Sequence, residues 1–505
     1  MIIIIWVGIF VKIDDDVYVH FLPIGVENQM YKNFFAGQWM EGCDVIDNIN
    51  PSDTSDCIGQ FAMASELQTE QAIDAAFDAF PQWAKSPLQQ RSEMLDKIGD
   101  EILSRKQELG EMLAREEGKT LFEGIGEVVR AGQIFKFFGA QVVRQGGENF
   151  DSVRPEVDVS VTRSPVGVVG LILPWNFPIA IPAWKIAPAL AYGNCVVVKP
   201  SELVPALAYA LTEIISRSGI PAGVFNLVMG RGDVVGSCIA NSPKIHAISF
   251  TGSITTGKRV ASAAVTRMAK IQLEMGGKNP LVVLDDADLD TAVDCAVQGA
   301  FYSTGQRCTA SSRLIVTSGI HDRFVKALST RLLQLKTDHA LKEGTDIGPV
   351  IDQRQLDQDT RYIQIGIDEG ATLECGGEQV FRETEGFYLP PVLFTNTHND
   401  MRINREEIFG PVASVICVRD YDEALSVAND TTFGLSAGIV TNSLKFSSDF
   451  KRNAESGIVA VNLPTAGVDY HVPFGGTKSS SYGSREQGEY AKEFYTSVKT
   501  SYTLA

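Results

Sequence analysis

The chain is short of nearly everything that would mark a metal, disulfide, nucleic-acid or membrane protein. Its eight cysteines (Cys43, Cys57, Cys195, Cys238, Cys295, Cys308, Cys375 and Cys417) are scattered through 505 residues, with no Cys-x-x-Cys pair. That excludes a disulfide framework and a zinc ribbon, and points to reduced thiols in a cytoplasm. Only six histidines occur, none at metal-ligand spacing, so no metal is expected. Lys and Arg number 44 against 62 Asp and Glu, and the net charge of −18 argues against nucleic acid or an anionic membrane as partner. No apolar run is long enough to span a bilayer. Met1 to Val11 is apolar but short, lacks a basic start and runs into Asp14, Asp15 and Asp16, which suits neither an anchor nor a secretory signal. Met30 is read as the natural start and residues 1–29 as a non-core extension, with an added edge strand as the alternative. Internal repeats and low-complexity segments are absent too.

What is present is a globular α/β pattern. Hydrophobic residues make up 44% and charged residues 21%, the balance of a soluble protein, and the length exceeds what one core supports, so two or three domains are expected. Met94, Leu95, Ile98, Ile102, Leu109, Met112 and Leu113 fall near helical spacing and predict one long amphipathic helix. Continuous apolar, β-branched runs at 166–173, 195–198 and 224–228, and another ending at Phe250, predict buried parallel strands, with helices such as Pro205 to Arg217 between them. A second α/β run starts near Leu281 and passes through Arg313 to Val316 toward the 460s.

Ligands in open α/β sheets bind at strand carboxyl ends, and there the chemistry-bearing residues lie. The first run ends in Pro174-Trp175-Asn176-Phe177-Pro178, where the Asn176 amide can donate to an oxyanion without titrating. The second ends in Lys199-Pro200-Ser201-Glu202, whose ammonium and carboxylate suit ribose hydroxyls. The fourth runs from Phe250 through Ser253 to Gly257 at a helix start, where N–H groups can meet a phosphate. Gly230, Gly232 and Gly236 resemble a dinucleotide loop but miss its spacing. A lone cysteine in such a chain is ordinarily a small buried hydrophobe. Cys308, in Gly305-Gln306-Arg307-Cys308, follows Glu274, in Leu273-Glu274-Met275-Gly276-Gly277-Lys278. A thiolate can add to an aldehyde carbonyl, and a carboxylate can activate the water that releases the acid.

With Glu406-Glu407-Ile408-Phe409-Gly410-Pro411, the segments at 174–177, 273–278 and 305–308 stand in the order of the aldehyde dehydrogenase superfamily, which the chain resembles from Met30 to Tyr502. The resemblance implies an α/β aldehyde dehydrogenase-like fold of two Rossmann-like open parallel-sheet domains plus a small β oligomerisation element. The cofactor-binding domain would take residues 30–143 and 165–276, the catalytic domain 277–478, and the oligomerisation element 144–164 and 479–505. That element would hold a strand pair near 144–164 and a C-terminal strand around Phe494 to Tyr502, in a homodimer or homotetramer. It further implies Cys308 as nucleophile, Asn176 and the Cys308 N–H as oxyanion donors, and Glu274 as the base for hydrolysis, since branches that pass the acyl group to coenzyme A usually lack this glutamate. Trp175, Lys199, Ser201, Glu202, Gly232, Gly236, Phe250, Ser253, Glu407 and Phe409 would contact the cofactor. Glu202 would accept from a free ribose diol and repel a 2′-phosphate, so NAD is preferred over NADP, although some members keep this glutamate and use NADP.

The segments 306–313, 469–476 and 480–488 are similar to those of the 2-oxoglutarate semialdehyde (2,5-dioxopentanoate) dehydrogenases. A substrate with a carboxylate at its far end needs a cation or several donors. Succinate semialdehyde dehydrogenases use two arginines whose positions appear here as Trp184 and Tyr302, which lowers that reading. Arg307 and Arg163 are the candidate replacements, with Phe177 and Phe474 as further substrate-binding residues. A broader semialdehyde or aliphatic aldehyde dehydrogenase is the alternative. A non-catalytic, crystallin-like descendant is a third, and the intact Cys308, Glu274 and Asn176 weigh against it.

Overall fold

The computed structural model describes residues 9–13, 16–20, 30–144 and 146–504. The extension expected over 1–29 lies mostly outside them; within it, Ile9–Ile13 and Asp16–His20 pair as an antiparallel hairpin. Among the described residues, two large sheets dominate. In the first, the parallel strands run in the order Lys270–Glu274, Ala247–Thr251, Val168–Ile172, Cys195–Lys199, Phe225–Leu227. Val168–Ile172 is therefore central, with its chain successors leading outward on one side and the later pair on the other. A crevice opens where the order reverses, at the carboxyl ends of Val168–Ile172 and Ala247–Thr251. The strand Cys195-Val196-Val197-Val198-Lys199 is buried throughout because helices cover both faces, so its residues do not alternate apolar with polar.

The second sheet orders Thr372–Cys375, Val392–Thr397, Val412–Val418, Arg313–Thr317, Pro280–Val283, Ser436–Val440 and Ile458–Val461, parallel except at the first pair. Its strand Pro280–Val283, next to the central Arg313–Thr317, begins only six residues after Glu274 ends a strand of the first sheet. The amino ends of the second sheet thus face the carboxyl ends of the first, and the loops 274–279 and 305–312 lie between them.

Three expectations need correction. The single helix read through 94–113 is two, Leu88–Ser104 and Lys106–Glu117, because Arg105 leaves helical geometry at φ −99° and ψ 17°. Ser104 Oγ donates back to the Glu101 carbonyl at 2.8 Å and closes the first helix. Both pieces still pack their apolar faces on helix Leu121–Val142, so the periodicity survives the break. The C-terminal strand is Thr496–Leu504, and Phe494 sits in the preceding turn of helix Lys492–Tyr495. That strand pairs with Val157–Pro165, which pairs with Glu148–Asp151. Ser481–Tyr482, expected in the oligomerisation element, instead joins the first sheet beside Leu273 and Glu274.

Candidate active site

A cleft of about 900 Å³ opens at the switch point of the first sheet. Trp175, Lys199, Ser201, Glu202, Gly232, Gly236, Phe250, Ser253, Glu407 and Phe409 all line it, together with Asn176 and Cys308. These residues come from six separate stretches of chain. The sequence did not mark Gln355 or Arg259, which also line it, and Met275, inside the segment 273–278, lines it as well.

The cleft has the donors and acceptors a dinucleotide needs. Glu202 Oε1 accepts from the Gly232 N–H at 2.6 Å, and Oε2 lies 3.1 Å from Lys199 Nζ, so an acid and a base are fixed side by side. Lys199 Nζ also donates to the Pro200 carbonyl at 2.9 Å, and burial lowers its pKa. Ser253 caps helix Ile254–Thr266, leaving the first N–H groups of that helix at the cleft wall where a phosphate would sit. At the other end Trp175 meets Phe409 edge-on at 5.3 Å, and Glu407 Oε1 accepts from the Gly277 N–H at 2.8 Å. Burial pushes the Glu407 carboxyl up to about 7.

The loop before Cys308 holds three successive residues in the left-handed region, Ser303 (φ 51°), Thr304 (φ 56°) and Gly305 (φ 66°). A side chain at Gly305 would run into the Gly410 backbone, so only glycine fits there. Such a conformation persists only where contacts over-determine it. Ser303 N–H and Oγ donate to Glu123 Oε1, Thr304 Oγ1 to the Gly348 carbonyl, and the Ile351 N–H to Gln306 Oε1. Asn279 Nδ2 donates to the Cys308 carbonyl at 2.7 Å and the Ala310 carbonyl at 3.0 Å. Asn176 Nδ2 donates to the Gln306 carbonyl at 3.0 Å, which sets the amide beside the nucleophile loop. The Asn176 carbonyl accepts from Lys119 Nζ, and Lys119 pairs with Glu127 at 2.9 Å. Glu127 in turn accepts from the Ile179 and Ala180 N–H groups, both at 3.1 Å, at the start of helix Ala180–Ala191. Lys119, Glu127 and Asn279 are positioning groups that the sequence did not flag, because nothing in their spacing marks long-range pairing.

Glu274 is buried, and its Oε2 accepts from Ser481 Oγ at 2.6 Å. A Cβ at Gly475 would stand 2.9 Å from Glu274 Oε1 and that glycine has φ +144°, so the approach to the carboxylate requires glycine. Burial, then the nearby Glu486 carboxylate, raises the Glu274 pKa well above the ordinary value. Behind it Lys185 pairs with Glu486 and donates to Ser249 Oγ at 2.7 Å, a buried polar chain joining a helix, two strands and the C-terminal segment.

Burial, followed by the charges of Glu274 and Glu407, pushes the Cys308 thiol up to about 12, against the opposing pull of the Cys308 and Thr309 N–H groups. Relative to an ordinary thiol at 9.0, the thiolate fraction near neutral pH falls roughly a thousandfold. The thiolate is the reactive form, so alkylation of Cys308 by iodoacetamide in the cofactor-free protein is expected to rise about tenfold per pH unit from 7 to 10. Peptide mapping separates it from the exposed Cys43, Cys57 and Cys417. A plateau below pH 9 would contradict this electrostatic setting.

The two arginines expected to hold a substrate carboxylate are not free to do so. Arg163 lies in strand Val157–Pro165, where it pairs with Glu493 at 2.7 Å and donates to Thr496 Oγ1 at 3.1 Å. It staples the small sheet and does not line the cleft. The pair is partly exposed and contributes at most about 1 kcal/mol. Arg307 adjoins Cys308 in the chain, but its guanidinium turns to Glu123 at 3.0 Å, Ser303 Oγ at 2.7 Å and the Gln298 carbonyl at 3.3 Å. It clamps the strained loop instead of facing the cleft. Phe177 precedes helix Ala180–Ala191, which carries Trp184, and Lys119 Nζ sits 3.7 Å from the centre of the Phe177 ring. Phe474 packs on Trp184 with ring centres 5.5 Å apart. Trp184 and Phe474 thus form one aromatic pair, while Phe177 packs against Lys119. Among the described residues no group of three or more His, Cys, Asp or Glu is arranged to hold a metal ion, and no helix is long and apolar enough to cross a membrane.

The sequence profile of the aldehyde dehydrogenase family matches residues 39–501. An alpha-ketoglutaric semialdehyde dehydrogenase of Bacillus subtilis is 42% identical over 483 residues, 95% of this chain and 99% of that protein. A 2,5-dioxopentanoate dehydrogenase of Saccharolobus solfataricus is 40% identical over 472 residues, 92% of this chain and 98% of that one. The crystal structure of a betaine aldehyde dehydrogenase from Staphylococcus aureus in complex with NAD+ superposes with a TM-score of 0.92 at 33% identity, over 94% of each chain. A cleft at the switch point with a cysteine and an asparagine at one end, a buried glutamate acting on that cysteine, and a family profile that covers nearly the whole sequence lead to one conclusion: the chain belongs to the aldehyde dehydrogenase family.

Proposed function

We propose that the chain oxidises 2-oxoglutarate semialdehyde (2,5-dioxopentanoate) to 2-oxoglutarate, with water as the final acyl acceptor. The observation that carries the chemistry is that Cys308 and Asn176 line one end of a cleft suited to a dinucleotide, with the buried Glu274 close enough to act on the Cys308 thiol. Two relatives at 40–42% identity bear the names of enzymes for this substrate, and both align over nearly their whole length.

In this reading the deprotonated Cys308 sulfur adds to the aldehyde carbon. One N–H of Asn176 already serves the Gln306 carbonyl, and the other is available to the new oxyanion beside the Cys308 N–H. A nicotinamide dinucleotide held in the cleft would supply the acceptor for the hydride that leaves that carbon, and Cys308 would then carry the acyl group as a thioester. Glu274 then takes a proton from water, whose oxygen bonds to the thioester carbon as the C–S bond breaks. Burial raises the Glu274 pKa and so makes its carboxylate a stronger base toward water. The fixed Glu202 carboxylate favours the free ribose of NAD over the 2′-phosphate of NADP.

The same reading assigns residues 30–143 and 165–276 to cofactor binding and 277–478 to catalysis, with Ser481–Tyr482 now beside the former. A homodimer or homotetramer is supported by the small sheet, whose outer strand Thr496–Leu504 leaves Val498, Tyr502 and Leu504 exposed along an unpaired edge.

Reduced-cofactor formation against dioxopentanoate, succinate semialdehyde and pentanal, each with NAD and NADP, tests the proposal. Dioxopentanoate with NAD is expected to show the highest kcat/KM. The packed rings of Trp184 and Phe474 favour a second reading, a broader aliphatic aldehyde dehydrogenase, for which pentanal would equal or exceed dioxopentanoate.

A further inference from the structure

With Arg163 and Arg307 paired elsewhere, a substrate carboxylate needs other donors, and one cluster near the nucleophile has donors without acceptors. Arg130 lies on helix Leu121–Val142, three residues after Glu127, which pins the start of helix Ala180–Ala191. Its guanidinium carbon sits 5.7 Å from the centre of the Trp184 ring, the same ring that packs on Phe474. Its Nη2 donates to Gln487 Oε1 at 3.2 Å, while its Nε is buried and has no partner among the described residues. Two further buried donors of the same cluster, Trp184 Nε1 and Gln487 Nε2, also lack an acceptor among the described residues. Cys308, Glu127 and Asp469 are the acidic groups close enough to act on the Arg130 charge, so the guanidinium is within electrostatic reach of the reacting sulfur. It is absent from the walls of the cofactor cleft.

Buried donors in native proteins are almost always satisfied, and three orphans around one guanidinium are an exception that asks for an acceptor. A carboxylate offers two oxygens with about four lone-pair sites and matches an arginine fork best of all. An aromatic wall beside that fork would take the methylene carbons between the two ends of a semialdehyde. We propose that Arg130, with Trp184 Nε1 and Gln487 Nε2, holds the carboxylate at the far end of the substrate. The assignment rests on the reading above that the substrate carries such a group, and it makes this arginine a specificity-determining residue.

The test compares kcat/KM for dioxopentanoate with that for pentanal in the wild type and in Arg130→Met, Arg130→Lys and Trp184→Phe. Loss of a charge-assisted contact is expected to lower the dioxopentanoate-to-pentanal ratio about 10- to 100-fold in Arg130→Met, mostly through KM. Arg130→Lys is expected to recover part of the ratio because the charge returns without the fork. Trp184→Phe keeps the ring and drops one donor, and is expected to lower the ratio a few-fold. It also serves if Arg130→Met fails to fold. A wild type that prefers pentanal overturns the substrate reading and this assignment together. A wild type that prefers dioxopentanoate, with variants that lose both substrates in proportion or leave the ratio within about twofold, overturns the Arg130 assignment alone; Arg130 would then only staple Gln487 to its helix.

Discussion

Cys308→Ala is expected to remove turnover of every aldehyde, by about 10⁴-fold or more, and to leave dinucleotide binding within about twofold. The loss is large because no other cysteine among the described residues lines the cleft, so no second thiol can carry the acyl group. The fold should survive. The strained loop is held by Glu123, Gly348, Ile351 and Asn279, and none of these contacts uses the Cys308 side chain. Reduced-cofactor formation reads the activity, and tryptophan quenching on titration with the reduced dinucleotide reads the binding, Trp175 being a wall of the cleft. Residual turnover above about one part in a hundred would remove Cys308 from the nucleophile's role.

Glu274→Gln is expected to split the reaction in two. The substitution is nearly isosteric, and the amide oxygen can still accept from Ser481 Oγ, so the geometry behind the site should hold. What is lost is the base. A rapid burst of reduced cofactor, about one equivalent per site, should be followed by steady turnover slower by about 10²- to 10³-fold. The burst itself should not slow. The Glu274 charge is one of the causes that raise the Cys308 pKa, so removing it favours the thiolate near neutral pH. Rapid mixing resolves the two phases, and the acyl-enzyme should appear as a mass increase on the Cys308 peptide. Unchanged steady turnover would take Glu274 out of deacylation.

Both residues are legible in the amino-acid sequence through the segments that carry them, and the parallel strands are legible there too. Buried parallel strands must be apolar on both faces, and ligand chemistry gathers at their carboxyl ends, so runs such as 195–198 announce both the sheet and the place to look for Lys199 and Glu202. Helix Pro205–Arg217 has the ends its sequence predicts, because proline favours a first turn and the apolar face repeats at helical spacing. The break at Arg105 is not legible, since the apolar period on either side of it stays in phase.

Arginine marks the limit. The sequence by itself determined the fold class and the order of the functional segments, and it marked Cys308, Glu274 and Asn176 as candidates for the chemistry, because those depend on local pattern and residue type. It could not say which arginine faces the substrate. Arg307 stands next to the nucleophile in the chain yet turns to Glu123, 184 residues earlier, while Arg163 pairs with Glu493, 330 residues later. Arg130, 178 positions before Cys308 and in no motif, comes within its electrostatic reach. A long charged side chain goes where an opposite charge or an unfilled acceptor lets it leave water, and that partner is supplied by packing of distant segments. Only the tertiary structure decides it.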